Sequence, residues 1–191
     1  MELLQGDGKS KKKKKKMPVF VAFLKADLAN VASLKPKTTG SVWVMDVKNG
    51  DSNEERKGVS IDAEEEVDLE GSRGVANLVI KFADAAEKAN CSIITPETYA
   101  SKYKGKKKFL AALPTSIEAS GEWVPFLAFE ARGMDITQVH LGGDNFVATA
   151  TSGAVFEENL DLSEGDWSDY DEDNELPVSI TNIQVKVQAI R

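Results

Sequence analysis

Cysteine and histidine, which often act as nucleophiles, general bases or metal ligands, each occur once in this sequence, as Cys91 and His140. A reactive thiol needs a basic or cationic partner, and a catalytic histidine needs an orienting group and a substrate pocket. Neither residue has such a partner nearby in sequence. We interpret Cys91 as a small buried hydrophobe, with a redox-sensitive or nucleophilic thiol as the alternative. We interpret His140 as a structural or surface residue, with an acid/base role as the alternative. No enzyme activity is predicted, because nothing pairs a nucleophile with a base.

Four acidic residues occupy alternate positions near the C-terminus, as in the first half of a calcium-binding loop: Asp169, Asp171, Asp173 and Glu175. That loop requires glycine at its sixth position and a bidentate glutamate at its twelfth. Asn174 and Ile180 stand there instead. The sequence therefore excludes an EF-hand, and weak cation binding to this acidic patch stays open as an alternative.

Two phrases place an arginine directly before a glycine, Ser72-Arg73-Gly74 and Arg132-Gly133. Each arginine could bind an anion. We favour a structural role, in which the planar guanidinium ties a turn to carboxylates such as those of the acidic C-terminal phrase.

Lysines are concentrated at two places. The first is the run Lys11, Lys12, Lys13, Lys14, Lys15 and Lys16; the second is the segment from Lys104 to Lys108. Such runs are typical of nuclear-import signals or phosphate-binding arms, but they are more often solvated extensions. We predict that residues 1–16 are disordered. A contact with a polyanion such as nucleic acid or acidic lipid, shared by the two lysine groups, is the alternative.

Two large aromatic residues, Trp167 and Tyr170, lie among acidic side chains, including Asp169 and Asp171, just before the last apolar stretch. A solvated loop has no need of such side chains, each of which can bury about 150–250 Å². We predict that they plug the open end of a β core.

The composition is that of an ordinary globular chain of 191 residues, 41% apolar and 29% charged. The net charge of −7 is unevenly distributed: in residues 1–16, seven lysines against Glu2 and Asp7 give +5, so the remainder carries −12. An acidic body argues against nucleic-acid binding outside the tail. We expect no membrane insertion, since no apolar run approaches about 18–20 residues. A single cysteine allows no internal disulfide, so a cytoplasmic or nuclear location is expected.

Alternating apolar and polar residues predict a mostly β fold. The predicted strands are 19–28, 41–48, 75–82, 91–95, 123–131, 136–141, 145–150 and 183–190. Asn49-Gly50 favours a hairpin turn after the second strand. Ala83 to Asn90 favours one or two turns of helix. Pro125 restricts its strand to a sheet edge or a bulge.

The domain prediction is a lysine-rich tail, 1–16, followed by one β-rich domain, 17–191. A faint echo between Ala26–Val31 and Ala131–Ile136 predicts two similar antiparallel units, about 17–96 and 122–191, related by a pseudo-twofold axis. A polar linker, 97–121, would join them.

Several phrases in order resemble the eukaryotic CXXC motif-containing zinc-binding protein family, whose function is poorly defined. They are Leu69–Asn77, Phe129–Met134, Thr151–Phe156 and Asp161–Glu172. The resemblance covers about Met17 to the C-terminus, and the acidic Trp-Tyr phrase is its most specific part. It implies a fold in which two CxxC pairs hold one structural zinc between two hairpins.

Placed on that pattern, the first pair of ligand positions falls at Asn49 and Ser52 and the second at Phe82 and Ala85. None is cysteine, so we expect no zinc and no other cofactor. A structural zinc contributes roughly 10–16 kcal/mol in small peptides. Burial of Phe82 recovers about 1.5–3 kcal/mol. We therefore expect a reorganised or looser lobe, with low order from Asp51 to Lys57.

We expect a non-catalytic scaffold or adaptor that acts through protein–protein contacts, either as a monomer or in a larger complex. One alternative is a protein that binds a cation through residual acidic ligands. Another is a component of an assembly anchored by the basic tail. The sequence does not identify the partner.

Overall fold

The computed structural model describes residues 17–37, 39–113 and 115–190, so residues 1–16, including the run from Lys11 to Lys16, lie outside it. The described chain is predominantly strand, as predicted. The strands are β1 (Val19–Ala29), β2 (Val31–Pro36), β3 (Val42–Asn49), β4 (Glu55–Asp62), β5 (Val67–Asp68), β6 (Val75–Ala76), β7 (Leu78–Ile80), β8 (Ala89–Ile93), β9 (Val124–Arg132), β10 (Met134–His140), β11 (Phe146–Ala150), β12 (Val155–Phe156), β13 (Trp167–Asp171) and β14 (Leu176–Ile190).

Two short helical segments complete the chain: helix α1 (Pro96–Lys102) and a 3₁₀ helix (Lys107–Ala112). No helix within the described ranges has the length and apolar character required to cross a bilayer.

A six-stranded antiparallel sheet in the order β13-β14-β1-β9-β8-β7 forms the centre of the fold. Strands β1 and β9 lie in the middle, where both faces are covered, and their almost continuous apolar sequence fits that position. Pro125 lies in central β9, where Ala22 pairs with Leu127 but the next residue, Phe23, pairs with Pro125. The extra residue, Phe126, marks the bulge that this proline was predicted to require.

The strand pairings are symmetric about the β1–β9 pair. A three-stranded sheet β10-β3-β4 has its counterpart in β2-β11-β12. Hairpin β7–β8 lies beside β9, and hairpin β13–β14 lies beside β1. Exchanging β1 with β9, β2 with β10, β3 with β11, β4 with β12, β7 with β13 and β8 with β14 leaves these pairings unchanged. The predicted pseudo-twofold relation is therefore present in the topology, although the two halves share strands within the same sheets.

The two faces of β1 pack into separate apolar clusters. Phe20, Ala22 and Leu24 face the main core, in which the rings of Trp43, Phe126 and Phe146 pack against one another. Val19 and Val21, which alternate with these residues, face a second cluster on the other side of the strand. Tyr99, Tyr103 and Ala112, from the helical region, belong to the same cluster. The helical segments therefore cover one face of the central sheet.

Three local predictions were wrong. Residues 83–88 form turns and not the predicted helix, because the chain must reverse within a few residues for Ala89 of β8 to pair with Ile80 of β7. The predicted strand 75–82 is broken into β6 and β7. The region 97–121, predicted as a polar linker, carries most of helix α1 and the 3₁₀ helix, because Tyr99, Tyr103 and Ala112 have an apolar surface to cover.

Candidate functional site

The four positions that the family resemblance assigns to zinc ligands lie on two turns of the first half. Asn49 ends β3 and Ser52 lies in the β3–β4 turn, whereas Phe82 and Ala85 lie in the β7–β8 turn. We call these two turns the first turn pair. Asn49 is buried; its backbone N–H donates to the Glu54 carbonyl at 2.8 Å, and its Oδ1 accepts from the Asp51 N–H.

A carboxylate joins the two turns of this pair. Glu54 Oε2 accepts from the backbone N–H groups of Ala83 and Asp84, at 2.7 and 3.3 Å. Its other oxygen, Oε1, lies 3.3 Å from Arg56 Nη2, and Arg56 also donates to the Lys81 carbonyl at 2.5 Å. Glu54 and Ala83 are 29 residues apart in sequence. The two turns are thus joined by the side chains of one glutamate and one arginine.

The ring of Phe82 is fully buried, and the Arg56 guanidinium lies 5.3 Å from the ring centre. Lys81 Nζ donates to the Ala85 and Ala86 carbonyls, which closes the turn around the ring. This arrangement contradicts the expected low order of 51–57, because Glu54 and Arg56 make specific contacts and Glu55 begins strand β4.

A zinc ion does not fit the residues of the first turn pair. Tetrahedral structural zinc requires thiolate or imidazole ligands. The four positions offer instead an amide, a hydroxyl, a buried phenyl ring and a methyl group. The amide nitrogen of Asn49 is buried without a hydrogen-bond partner among the described residues, and an amide nitrogen has no lone pair to offer a metal. Within the described ranges, no group of three or more His, Cys, Asp or Glu side chains is placed to hold a metal ion.

The second half contains the symmetric counterpart, the second turn pair, formed by the β11–β12 and β13–β14 turns. Asp171 is buried and joins them: its Oδ2 accepts from Ser152 Oγ at 2.5 Å and from Asn174 Nδ2 at 2.8 Å. These hydrogen bonds hold the pKa of Asp171 below its ordinary value of 3.8, the bond from Ser152 contributing most. The carboxylate that would be needed for a cation site is therefore already engaged.

The equivalence of the two pairs extends to the backbone. In the first, the Gly50 N–H donates to the Gly133 carbonyl at 3.1 Å; in the second, the Thr151 N–H donates to the Asn30 carbonyl at 2.9 Å. Gly133 and Asn30 both have positive φ, +74° and +57°. A Cβ at residue 133 would lie 3.3 Å from the Cβ of Ala89, so glycine also permits this close approach.

The predicted arginine ties differ from those observed. Arg132 lies 3.6 Å from Glu87, in a pair that is largely exposed, and not against the acidic C-terminal phrase. Arg73 is exposed and makes no polar contact with the described chain. Its turn is closed by Ser72, whose Oγ accepts from the Gly74 N–H at 2.9 Å. Arg132 therefore pairs with a nearby carboxylate, but with Glu87 and not with the acidic phrase, because β1 and β14 stand between its strand, β9, and β13. For Arg73 the prediction of a carboxylate partner was wrong among the described residues.

The predicted aromatic plug is only half present. Trp167 is half-buried and packs edge-on against Phe156, with ring centres 5.5 Å apart. Tyr170, in contrast, is 49% exposed on edge strand β13. Asp169 Oδ1 accepts from the N–H of Tyr170. Alternation along the strand sends Trp167 and Tyr170 to opposite faces, since they are three residues apart.

The single cysteine and histidine lie apart from each other in the fold. Cys91 is buried in β8 opposite Ala131, and burial raises the pKa of its thiol. The thiol therefore stays protonated, which agrees with the interpretation of Cys91 as a small buried hydrophobe. His140 is a surface residue whose Nε2 lies 2.9 Å from Asp46 Oδ1. This hydrogen bond is the main cause that lowers the pKa of Asp46.

A cleft of about 500 Å³ lies beside the main core, with Trp43 and Phe126 in its lining and Lys35 at its rim. It also includes Ser116, whose buried Oγ has no hydrogen-bond partner among the described residues. A nucleophilic serine requires a hydrogen-bonded base, and Ser116 has none within this part of the structure.

Sequence reasoning missed Glu54, Arg56 and Lys81, the residues that hold the first turn pair. Glu54 and Arg56 stand two residues apart, which places side chains on the same face of a strand. That spacing, directly after the predicted Asn49-Gly50 turn, is the signal that could have identified them.

Comparisons with known proteins agree with this fold. A profile of the family described as CXXC motif containing zinc binding protein, eukaryotic, matches residues 22–188. The chain is 29% identical over 161 residues to the rat protein named CXXC motif containing zinc binding protein, covering 84% of this chain and 91% of that one. It is 27% identical over 179 residues to a UPF0587 protein of Caenorhabditis elegans, covering 92% and 97%.

Two solved structures share the architecture. The crystal structure of C1orf123 superposes with a TM-score of 0.74 at 25% identity, covering 89% of this chain and 98% of that chain. A hypothetical protein from Plasmodium falciparum gives the same TM-score at 24% identity, covering 89% and 99%.

Proposed function

Because the chain belongs to the eukaryotic CXXC motif containing zinc binding protein family, we propose that it is a zinc-free member that acts as a non-catalytic scaffold through protein–protein contacts. One observation carries the proposal. At the ligand positions, a buried phenyl ring and the Glu54–Arg56 contacts join the turns that zinc would otherwise join. The fold is thus retained without the residues needed for the metal.

Support for a contact surface comes from the edge of the central sheet. Strand β13 is an edge strand, and edge strands offer unpaired backbone groups to an incoming chain. Tyr170 is the exposed large aromatic on this edge, and acidic residues surround it from Asp166 to Glu175. A protein partner at this edge would present basic side chains and a surface for one aromatic ring.

The proposal includes a cytoplasmic or nuclear location, for which the support is a single, buried cysteine. It also includes action as a monomer or within a larger complex.

Elemental analysis tests the zinc-free part of the proposal. The full chain, purified without chelator, is expected to contain far less than stoichiometric zinc, and added zinc is expected to leave its melting temperature unchanged. A stoichiometric metal would overturn this part. Stoichiometric calcium or magnesium would instead support a cation-binding protein that uses the acidic C-terminal segment.

Affinity purification tests the scaffold part. Tagged full chain should retain a specific set of proteins that is lost with Tyr170→Asp and kept with Val155→Asp, a matched change at an exposed residue on edge strand β12. Val155 is 59% exposed, so both variants should fold. Equal retention by both variants would remove strand β13 as the contact surface.

A further inference from the structure

The positive charge of the folded chain is concentrated in one segment. Residues 98–117 contain five lysines and no acidic residue, although residues 17–191 together carry −12. The lysines are Lys102, Lys104, Lys106, Lys107 and Lys108, and all five are exposed. Glu97 and Glu118 flank this segment in sequence, so the lysines form a basic cluster on an otherwise acidic chain.

Buried contacts hold this segment on the central sheet. Glu130 of β9 is buried and accepts a hydrogen bond from the Tyr103 hydroxyl and another from Lys102 Nζ, the latter at 2.5 Å. Tyr99 and Tyr103 fill the apolar cluster below the helix. The lysines are therefore presented by an anchored surface and not by a free loop.

Aromatic rings below the lysines organise their side chains. Lys102 and Lys106 lie 5.7 and 5.9 Å from the ring centre of Tyr103, and Lys108 lies 4.6 Å from that of Phe109. The side chains of Lys104 and Lys107 make no ion pair or hydrogen bond with the described chain. Their ammonium groups are available to an external anion.

A single apolar side chain projects beside these lysines. Leu110, in the 3₁₀ helix, is 67% exposed, more than the other large hydrophobic residues that the structure describes. Residues three apart share a face of a 3₁₀ helix, so Leu110 lies on the same face as Lys107. At a bilayer interface the leucine can enter the acyl boundary while the lysines remain at the headgroups.

The described chain begins next to this surface. The Pro18 carbonyl accepts from the N–H of Ala131, the residue that follows Glu130. Val19 belongs to the same apolar cluster as Tyr103. In sequence, Lys16 is two residues before Pro18. Residues 1–16 lie outside the described structure, and only the residues to which they connect, Met17 and Pro18, are placed beside this surface.

We propose that Lys102–Lys108 and Leu110 form a docking surface for an anionic lipid bilayer. The protein would bind peripherally, without insertion of a helix. Clusters of four to eight basic residues beside an apolar anchor are typical of phosphatidylserine- or phosphoinositide-binding surfaces. Single-stranded nucleic acid is less well matched, because it requires exposed aromatic rings for base stacking. Here Tyr103 is buried and Phe109 is half-buried below a lysine.

Vesicle co-sedimentation of the full chain tests the proposal. Binding is expected to vesicles of phosphatidylcholine mixed with phosphatidylserine and not to phosphatidylcholine alone, and it should weaken as salt is raised. Lys104→Glu combined with Lys107→Glu should weaken binding at least about 20-fold, since each lysine near an anionic surface contributes about fivefold.

Matched controls separate this surface from overall charge. Lys35→Glu combined with Lys57→Glu makes the same change in net charge at exposed lysines elsewhere, and it should weaken binding about twofold or less, through the screened long-range field. Leu110→Ser should weaken binding by roughly fivefold through lost apolar burial. The corresponding control, Val155→Ser, should leave it unchanged. Circular dichroism melts establish that each variant is folded.

Four outcomes would overturn the proposal: equal binding to neutral and anionic vesicles, no binding to either, equal losses for the two lysine pairs, or no loss with Leu110→Ser. A fifth would do so as well. If a full chain with Lys11–Lys16 replaced by serine loses all binding while the Lys104/Lys107 variant keeps it, the tail alone is responsible. Binding to single-stranded RNA without binding to anionic vesicles would assign the surface to nucleic acid instead.

Discussion

The first turn pair and the second turn pair occupy equivalent places in the two halves of the fold, yet they are held by different physical means. In the first, Glu54 and Arg56 have side chains that are 21% and 42% exposed, and Phe82 is the fully buried component. In the second, a buried carboxylate, Asp171, accepts hydrogen bonds from Ser152 and Asn174. The first turn pair is therefore held mainly by a buried apolar ring, and the second mainly by hydrogen bonds to a buried carboxylate.

The difference shows that two turns in equivalent places can be joined either by apolar burial or by hydrogen bonds. Exposed ion pairs contribute little because water and salt screen them. Phe82 must therefore contribute most of the stability of the first turn pair, while Glu54 and Arg56 fix how the turns meet. In the second pair only the acceptor, Asp171, is buried, while the donor residues Ser152 and Asn174 are exposed, so the cost of removing the acceptor is that of lost charge-assisted hydrogen bonds.

Restoring the family's ligands provides the largest test of this comparison. A variant with Asn49→Cys, Ser52→Cys, Phe82→Cys and Ala85→Cys is expected to bind one zinc ion. Its apparent folding stability should then rise on metal addition by up to roughly 10 kcal/mol. Elemental analysis and chelator-dependent melting check it, with serine at the same four positions as the control. Failure to bind zinc would show that the two turns do not meet in ligand geometry.

Loss of the buried ring should have the next largest effect. Phe82→Ala is expected to destabilise the protein by about 3–5 kcal/mol, because it removes a fully buried aromatic side chain and leaves a cavity. Urea unfolding measures this. Tyr170→Ala, at a residue 49% exposed, serves as the control and should cost less than about 1 kcal/mol. Similar losses for both would contradict the assignment of Phe82 as the main contact.

The second turn pair should respond to the loss of one charge. Asp171→Asn is expected to lower the melting temperature by roughly 3–8 °C at neutral pH, since Oδ2 of the carboxylate accepts from the side chains of Ser152 and Asn174 while Oδ1 accepts from the Asn174 backbone N–H, and an amide has only one oxygen and no charge. Differential scanning calorimetry measures this change. The matched variant Glu172→Gln, at an exposed neighbour, should leave the melting temperature nearly unchanged.

Asp171→Asn also tests how the stability of the fold depends on acid pH. Because the folded pKa of Asp171 lies below its ordinary value of 3.8, its ionised form stabilises the fold above that pH. This stability is lost as pH falls through the lowered folded pKa. Asp171→Asn should therefore show a shallower loss of stability below about pH 4 than the unmodified chain. Parallel acid profiles would contradict a stabilising role for the ionised form of Asp171.

The smallest effect is expected at Glu54, the half-buried carboxylate of the first turn pair. Glu54→Ala should cost about 1–2 kcal/mol, because the N–H groups of Ala83 and Asp84 lose their acceptor but can bind water. Hydrogen exchange at those two amides should become faster. Glu55→Ala, at an exposed neighbouring residue, is the control. A loss equal to that of Phe82→Ala would reverse the order of contributions proposed for this pair.

Strand positions were largely predictable because they depend on local alternation. Strands β1, β3 and β9, and the end of β14, lie close to their predicted bounds, and the bulge at Pro125 followed from its missing N–H. The predicted helix at 83–90 was wrong because alanine-rich composition is a weak preference that strand pairing at Ala89 overrides. Helix α1 was missed because its apolar face consists of two tyrosines within a lysine-rich stretch.

The sequence alone determined the β-rich class, the family, the absence of cysteine at the four ligand positions and the separation of a basic segment from an acidic chain. Each of these depends on residue identity or on spacing along a few neighbouring residues. Only the tertiary structure decided that Glu54 reaches Ala83, that Asp171 reaches Ser152 and that the lysines of 102–108 are anchored through Glu130. Those contacts join residues 19 to 29 apart, a distance over which chain topology, and not local preference, decides which side chains meet.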